Sequence, residues 1–401
     1  MRRLNGLKTF LRAVPLVFLM LLATYWLPEV ISKNPADIIT PNEESEVAQS
    51  EPFNYQTTDL EPEKLPVSGL GSYIGLSSDD FTDQYGQPKR KDPAINGKEW
   101  WIFGENENDY VQLGVKDGII TDLFVLGSDL NVAPFSIGMS IIEVFQLASF
   151  YPTYSVDDQG EQVTLELTES DLNYRPLIAF DNHTFAILMM DRSTNQIVGV
   201  RYLDSSSLLE LGVYDNGSAK SNENAEEIDS EIQREINEGN QLQVNEIVNI
   251  LRQRYELEPL KLNIQLSEVA ETIFVNQEVQ LDSEENQSSE SIDSSEGSID
   301  EPNNQSSSVE TFILEDESES LDEGIDQEFQ TLTSDQIELT LQDTDLELDK
   351  IRVLYSNQKK DMNWLVTNWF TLEIERNFLM DADMTEIGIA YRANDVLLIL
   401  H

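Results

Sequence analysis

The tetrapeptide Ile74-Gly75-Leu76-Ser77 returns 63 residues later as Ile137-Gly138-Met139-Ser140. An internal repeat constrains a fold more than composition does, because one supersecondary unit must be built twice and packed against itself. In each copy the glycine marks a turn, and the serine suits a helix N-cap. Apolar residues follow at helical spacing, as Ile141, Val144, Phe145 and Ala148 do in the second copy. Strands come after the helix. The first copy offers "EWWIFG", "DYVQLGVKDG" and "IITDLFVLG", with Lys116-Asp117-Gly118 as a hairpin turn. The second offers "QVTLELT", "PLIAFDN", "TFAILMMDRSTN" and "QIVGVRYLD". The pattern predicts two tandem helix-plus-meander modules over residues 65–214, an α+β domain.

Trp100 and Trp101 are adjacent in a predicted strand, so their side chains point to opposite faces. One is expected in the core and the other on the far face, where it either packs or offers a partner surface. His183, in "FDNHTF", falls in a strand-linking turn with no other ligand at metal spacing.

The chain has 401 residues, room for two or three domains. Its 75 acidic and 25 basic residues give a net charge of −50. Such a surface repels phosphate backbones, so no nucleic-acid partner is expected. The absence of cysteine excludes disulfides, thiolate nucleophiles and cysteine metal sites. Two histidines, His183 and His401, leave little for imidazole catalysis. At the N-terminus, Arg2, Arg3, Lys8 and Arg12 precede an uncharged run from Ala13 to Leu27 that ends near Tyr25 and Trp26. A positive flank stays in the cytoplasm and aromatic residues favour the interface. Residues 1–12 thus read as a cytoplasmic tail and residues 13–32 as a transmembrane anchor, or alternatively a cleaved signal peptide ending at Ser32. Either way the bulk of the chain is exported.

Residues 33–64 and 215–242 read as polar linkers. Between Lys261 and Lys350 there is no basic residue, and Asp282–Glu328 holds seventeen acidic ones among Ser and Asn. That composition predicts a disordered acidic insert. "QDTDLELDK" reads as a strand carrying Asp343, Asp345, Glu347 and Asp349 on one solvated face, without the central glycine of an EF-hand. Ser267 is the expected cap of a helix with Val269, Ala270 and Ile273 on its apolar face.

Three stretches, "IGLSSDDFTDQYGQPKRKDP", "GKEWWIFGENENDYVQLGVKDGIITDLFVLG" and "PFSIGMSIIEVFQL", resemble the CAP-associated N-terminal domain of Gram-positive exported proteins. The resemblance spans about 140 residues and implies a membrane- or wall-associated protein with a CAP domain downstream; it implies no catalytic residues. Further on, Asn249, Arg252, Leu257 and Leu260 resemble the opening "N-x-x-R … L-x-x-L" of the CAP (SCP, or cysteine-rich secretory protein-type) domain. Leu266 and Ala270 resemble its next helix, whose histidine position holds Ile273 here. Trp369, Arg376 and Thr385–Tyr391 resemble its closing segment, whose second histidine position holds Glu375. The implied fold for residues 243–401 is a degenerate α-β-α sandwich interrupted by the acidic insert 282–328. The implied residual cleft is Ile273, Trp369, Glu375 and Arg376.

Isoleucine cannot bind a metal, and one carboxylate without a partner base is not a catalytic set. The expectation is therefore a membrane-anchored extracellular protein that is not an enzyme. It would bind or scaffold an envelope protein or wall component and need no cofactor. The alternatives are a hydrolase of peptide or cell-wall polymer relying on carboxylates such as Glu375, and a spacer whose acidic tract is the working part.

Overall fold

In the computed structural model, residues 61–158, 160–217, 229–288, 310–314, 332–357, 361–392 and 395–401 are described. The predicted tail 1–12, the anchor 13–32 and most of the linker 33–64 lie outside them. No helix among the described residues is long and apolar enough to cross a membrane.

The first repeat builds α1 (Ser78–Tyr85) and the strands β2 (Arg90–Pro93), β3 (Lys98–Phe103), β4 (Val111–Lys116) and β5 (Ile119–Val125), after a two-residue strand β1 (Lys64–Leu65). Asp117 and Gly118, both at positive φ, make the tight turn that joins β4 to β5. The second repeat builds α2 (Ile141–Leu147), β6 (Thr153–Asp158), β7 (Glu161–Glu166), α3 (Glu169–Tyr174), β8 (Leu177–Phe180), β9 (Phe185–Asp191) and β10 (Gln196–Leu203), closed by α4 (Ser205–Leu211). Among the described residues β1 to β5 and β8 to β10 form one eight-stranded sheet, ordered β1-β8-β9-β10-β5-β4-β3-β2. The two meanders meet through their last strands, with Tyr202 opposite Leu123.

The backbone repeats as the tetrapeptides do. Gly75 and Gly138 share a φ of 84°. Gly75 N–H donates to Ile120 O, and Ile120 N–H donates back to Leu76 O. Gly138 N–H donates to Ile197 O, and Ile197 N–H to Met139 O. Ser77 and Ser140 both cap the following helix. One strand departs from expectation: "QVTLELT" pairs with β6 in a separate hairpin rather than joining the meander. The reason is its one-sided apolar pattern. In β6 only Tyr154 and Val156 are buried and in β7 only Leu165, whereas all seven residues of β9 are.

The second half contains α5 (Ser230–Arg254), β11 (Lys261–Leu262), α6 (Ile264–Ser288), β12 (Glu310–Leu314), α7 (Ser334–Gln342), β13 (Arg352–Ser356), α8 (Met362–Trp369), α9 (Glu373–Leu379), β14 (Glu386–Arg392) and β15 (Asp395–Leu400). Its five described strands are ordered β11-β14-β15-β13-β12. Ile387, Ile389, Val396, Leu398 and Leu400 face one side, toward α5, α8 and α9. Ala390, Leu397, Ile399, Val353 and Tyr355 face the other, toward α6 and α7. This is the expected α-β-α sandwich. Gly388 lets α6 lie directly on β14, because a Cβ there would fall 2.3 Å from Leu266.

Four expectations are corrected. The linker 215–242 gives up its second half to α5, which starts at Ser230 behind the cap Asp229. Its outer face is polar, and only Ile236 and Gly239 are buried before Gln243, so the helical signal is faint. The acidic insert 282–328 contains the end of α6 and the strand β12, which pairs parallel with β13; its other residues lie outside the described ones. "QDTDLELDK" is not a strand: Gln342 ends α7, Asp343 N–H closes that helix on Thr340 O, and Leu348–Lys350 is a 3-10 turn. The cap of α6 is Asn263, whose Oδ1 accepts from Gln265 N–H at 2.8 Å. Ser267 lies a turn inside, and its Oγ accepts from Ile389 N–H at 2.9 Å, tying α6 to β14.

The two halves share a core. One buried cluster combines Trp100, Ile102, Phe124, Ile187 and Met189 of the first sheet with Val244, Ile247 and Leu251 of α5, Trp364 and Trp369 of α8, and Ile389 and Leu398 of the second sheet. The packing order is outer helices, eight-stranded sheet, central helices, five-stranded sheet, outer helices.

Candidate functional site

The segment α8–α9 carries three of the four cleft candidates, and the first half of the chain holds it in place. Asp361 caps α8, accepting from Trp364 N–H at 3.0 Å. The same carboxylate receives Arg201 from β10, at 2.8 Å from Nη1 and 2.5 Å from Nη2. Arg201 also donates from Nε to Asp122 of β5 at 3.0 Å, and Lys98 Nζ reaches Asp122 at 2.8 Å. At the other end of α8, Arg192 N–H donates to Phe370 O at 3.2 Å. Arg175 donates to the side chain of Asn368.

Arg376 of α9 makes a fork with Asp191 at the end of β9: Nε to Oδ1 at 2.6 Å and Nη2 to Oδ2 at 2.8 Å. Tyr255 O–H donates to the same carboxylate, and Ser193 N–H does so at 2.7 Å. Asp191 is fully buried. Burial alone would raise its proton affinity, but the hydrogen bonds from Arg376, Tyr255 and Ser193 outweigh that and hold it below the usual carboxylate range. Arg376 is thus spent on the first half of the chain, not on Glu375.

Glu375, one residue earlier, is 1 % exposed, and its Oε1 has no hydrogen-bond partner. Burial raises its proton affinity, offset in part by its own backbone N–H and the charge of Arg192. Trp369 is fully buried and its Nε1 is likewise without a partner. Ile273 lies in α6 on the far side of the five-stranded sheet, packed with Leu266, Ala270 and Phe274. The structure therefore places Trp369 and Glu375 on one segment but does not bring Ile273 to them. Trp100 and Trp101 face opposite sides of β3, as the alternation predicts, and both are buried. Trp100 joins the central cluster and Trp101 the outer one; Lys91 Nζ lies 3.4 Å over the Trp101 ring. His183, at φ 65°, turns β8 into β9.

Two motif residues of the second half have clear structural work. Asn249 brackets Leu260, accepting from its N–H at 2.7 Å and donating to its O at 2.9 Å. Arg252, fully buried, donates to the carbonyls of Glu258, Leu379, Asp381 and Met384. Sequence reasoning missed Asp122, Asp191, Arg201 and Asp361. For Asp122, Asp191 and Arg201 the available signal was a charge inside an apolar strand, "IITDLFV", "FAILMMD" and "QIVGVRYL", which calls for a buried partner. Chemically, Asp122, Asp191 and Asp361 each already serve an arginine or lysine. No group of three or more His, Asp or Glu among the described residues is placed to hold a metal ion.

These features have counterparts elsewhere. Residues 74–214 match the CAP-associated N-terminal family. The match covers both repeats and seven of the eight strands of the first sheet, with β1 lying before it. The fold is similar to that of a cysteine-rich secretory protein (SAV1118) from Staphylococcus aureus, with a TM-score of 0.63 at 20 % identity, over 84 % of this chain and 94 % of that one. It is also similar to that of an extracellular protein containing a SCP domain from Bacillus anthracis, with a TM-score of 0.60 at 20 % identity, over 90 % of this chain and 99 % of that one. Both halves are therefore included in the likeness. The uncharacterized membrane protein YlbC of Bacillus subtilis is 28 % identical over 206 residues, 51 % of this chain. The chain spans 59 % of that relative's length.

Proposed function

We propose that the protein is a membrane-anchored, extracytoplasmic, non-catalytic binding or scaffolding component of the bacterial cell envelope. The observation that carries this reading is what occupies the cleft candidates: Ile273 is core, Arg376 is locked onto Asp191, and Glu375 stands buried without a base beside it. A hydrolytic site needs an acid and a base, or a metal-activated water, within reach of one bond. The basic N-terminal flank with its apolar run supports the anchor, as do the proteins it resembles, one a membrane protein and one an extracellular protein.

The test is a hydrolysis assay on the full chain in detergent micelles, against an unfolded protein and purified peptidoglycan, beside the Glu375→Gln variant. No difference between the two is expected. Turnover that disappears in the variant would instead establish the second reading, a carboxylate-dependent hydrolase. That reading draws on the unpartnered Oε1 and raised proton affinity of Glu375.

A further inference from the structure

The second repeat is stripped of charge where the first is not. Among residues 130–155 only Glu143 is charged, whereas the equivalent residues 67–92 of the first repeat include seven charged ones. The whole chain is 25 % charged, so 26 residues would ordinarily carry about six. Helix α2 lies in this stretch. Ile142 and Phe145 stand where the first repeat has Asp79 and Thr82, and they are 70 % and 57 % exposed. They lie one turn apart on one stripe of the helix, and Leu147 beside them is 42 % exposed. Phe145 packs on Phe150 with ring centroids 4.7 Å apart. The one carboxylate, Glu143, turns back to the start of its own helix, accepting from Ser140 N–H at 2.9 Å and from Ser140 Oγ–H at 2.7 Å.

We infer that this surface of α2 docks on a lipid bilayer, with Ile142, Phe145 and Leu147 entering its interface; the inference rests on the membrane anchor proposed above. Exposed apolar side chains with no charge among them suit a medium that offers hydrocarbon. A protein partner is disfavoured by size, since three side chains fall far short of the roughly twenty residues a side that a stable interface uses. A tether makes so small a patch sufficient, because it holds the folded unit near the bilayer at an effective concentration on the order of millimolar. The net charge of −50 does not forbid the approach. Exposed charges are screened beyond about 8 Å at physiological ionic strength, and residues 130–155 bring only Glu143. The same net charge repels acidic parts of the surface from anionic lipid, which directs the contact to α2.

The path of the backbone fits this orientation. β1 runs parallel to β8, with Lys64 opposite Ala179 and Leu65 opposite Phe180, so the residues leading into Lys64 come from the Leu177 end of β8. Leu177 lies opposite Ile187, and β9 continues past Ile187 to its turn into β10. α2 is moored at that same turn, by Ile141 N–H on Asn195 O at 3.0 Å and by the bridge of Ser140 with Gln196. Leu65, Val67 and Val144 all pack into the outer cluster, so the start of the sheet and α2 share one face. The folded unit thus receives its N-terminal connection at the end and on the face that carry α2.

The absence of cysteine allows a single label per chain. Gln146→Cys, beside Phe145, and Asp83→Cys, the equivalent position of α1, are each labelled with the fluorophore NBD in the full chain. Both are reconstituted into vesicles of equal parts phosphatidylcholine and phosphatidylglycerol. Quenching by aqueous iodide is expected to be at least about fivefold weaker at the Gln146 position than at the Asp83 position, and quenching by a spin label on the lipid acyl chain correspondingly stronger. Adding Ile142→Ser and Phe145→Ser should remove the difference while leaving the melting temperature unchanged. Equal quenching at the two positions, in a chain that floats with the vesicles, would overturn the inference and leave the anchor standing. Flotation that is lost on adding the two serines would support the docking and refute the anchor. A chain that does not float at all would overturn both. Shielding from iodide that grows with protein density, without spin-label quenching, would overturn the inference in favour of a second copy.

Discussion

Replacing Arg376 by Met tests whether the two halves are held by the fork on Asp191. The substitution keeps much of the apolar stem and removes the hydrogen bonds at 2.6 and 2.8 Å. Breaking a buried pair from one side costs about 3–5 kcal/mol, because the remaining charge stays desolvated. Tyr255 O–H and Ser193 N–H still serve Asp191, which puts the expected loss near the lower end, about 3 kcal/mol. Asp191→Asn should cost about 2 kcal/mol, since Arg376 keeps some access to water. The double variant should cost about 3 kcal/mol, less than the sum, for a coupling near 2 kcal/mol. Urea unfolding at neutral pH, followed by tryptophan fluorescence, gives all three values. The pH dependence has a fixed sign. Asp191 binds its proton less tightly in the folded state, so its contribution is complete above the unfolded value of about 3.9 and is lost as pH falls through the lower folded value. The gap between the parent protein and Arg376→Met should stay level from pH 7 to 5 and close below about pH 4. Additive effects within about 0.5 kcal/mol would refute the account.

Glu375→Gln should behave oppositely: its proton affinity is raised by burial, so stability is greatest below the unfolded value and falls as pH rises through the folded one. The variant should be more stable than the parent at pH 7, with no difference near pH 4, read from melting temperature across pH. Arg252→Met would strand four carbonyls and should cost about 3 kcal/mol or more in urea unfolding. Gly388→Ala should cost more than about 2 kcal/mol, because its Cβ meets Leu266; Gly138→Ala, with open space around it, should cost only about 1 kcal/mol for its positive φ. Because the halves share a core, residues 61–401 should unfold in one transition, with circular dichroism and tryptophan fluorescence coincident. Two separate transitions would contradict the shared core.

The parts visible in the sequence are those encoded locally. Gly75 and Gly138 needed their left-handed φ for the same turn, so the repeat stood out as a short pattern alike at three of four positions. The strands of the meander showed through their apolar runs, and Trp100 beside Trp101 gave the two faces of β3. What stayed hidden depends on distance. The partners Asp191 and Arg376 are 185 residues apart, and Arg201 and Asp361 are 160. No spacing rule pairs them. The opening of α5 was masked by its polar outer face, and β12 by the acidic residues around it. Ser267 illustrates a competition: it has cap chemistry, but Asn263 stood four residues ahead and took the role, leaving the hydroxyl for β14.

The helix α5 explains why the halves behave as one body. Its polar side chains alternate between them along its length. Gln241 Nε2 donates to Ile389 O of the second sheet at 2.8 Å, and Gln243 Nε2 to Asp92 of the first at 2.9 Å. Glu246 accepts from Arg90 at 2.8 Å, while Asn249 holds Leu260. Arg252 reaches the carbonyls of Leu379 and Asp381, and Arg254 turns the other way to those of Val198 and Leu126. Tyr255 then meets Asp191. In a helix, residues two apart point to nearly opposite sides, so one rod can hold a sheet on each flank. Desolvated, hydrogen-bonded contacts of this kind fix orientation more than they add stability. A cleft whose arginine and helix cap are recruited to such a joint cannot open without separating the halves.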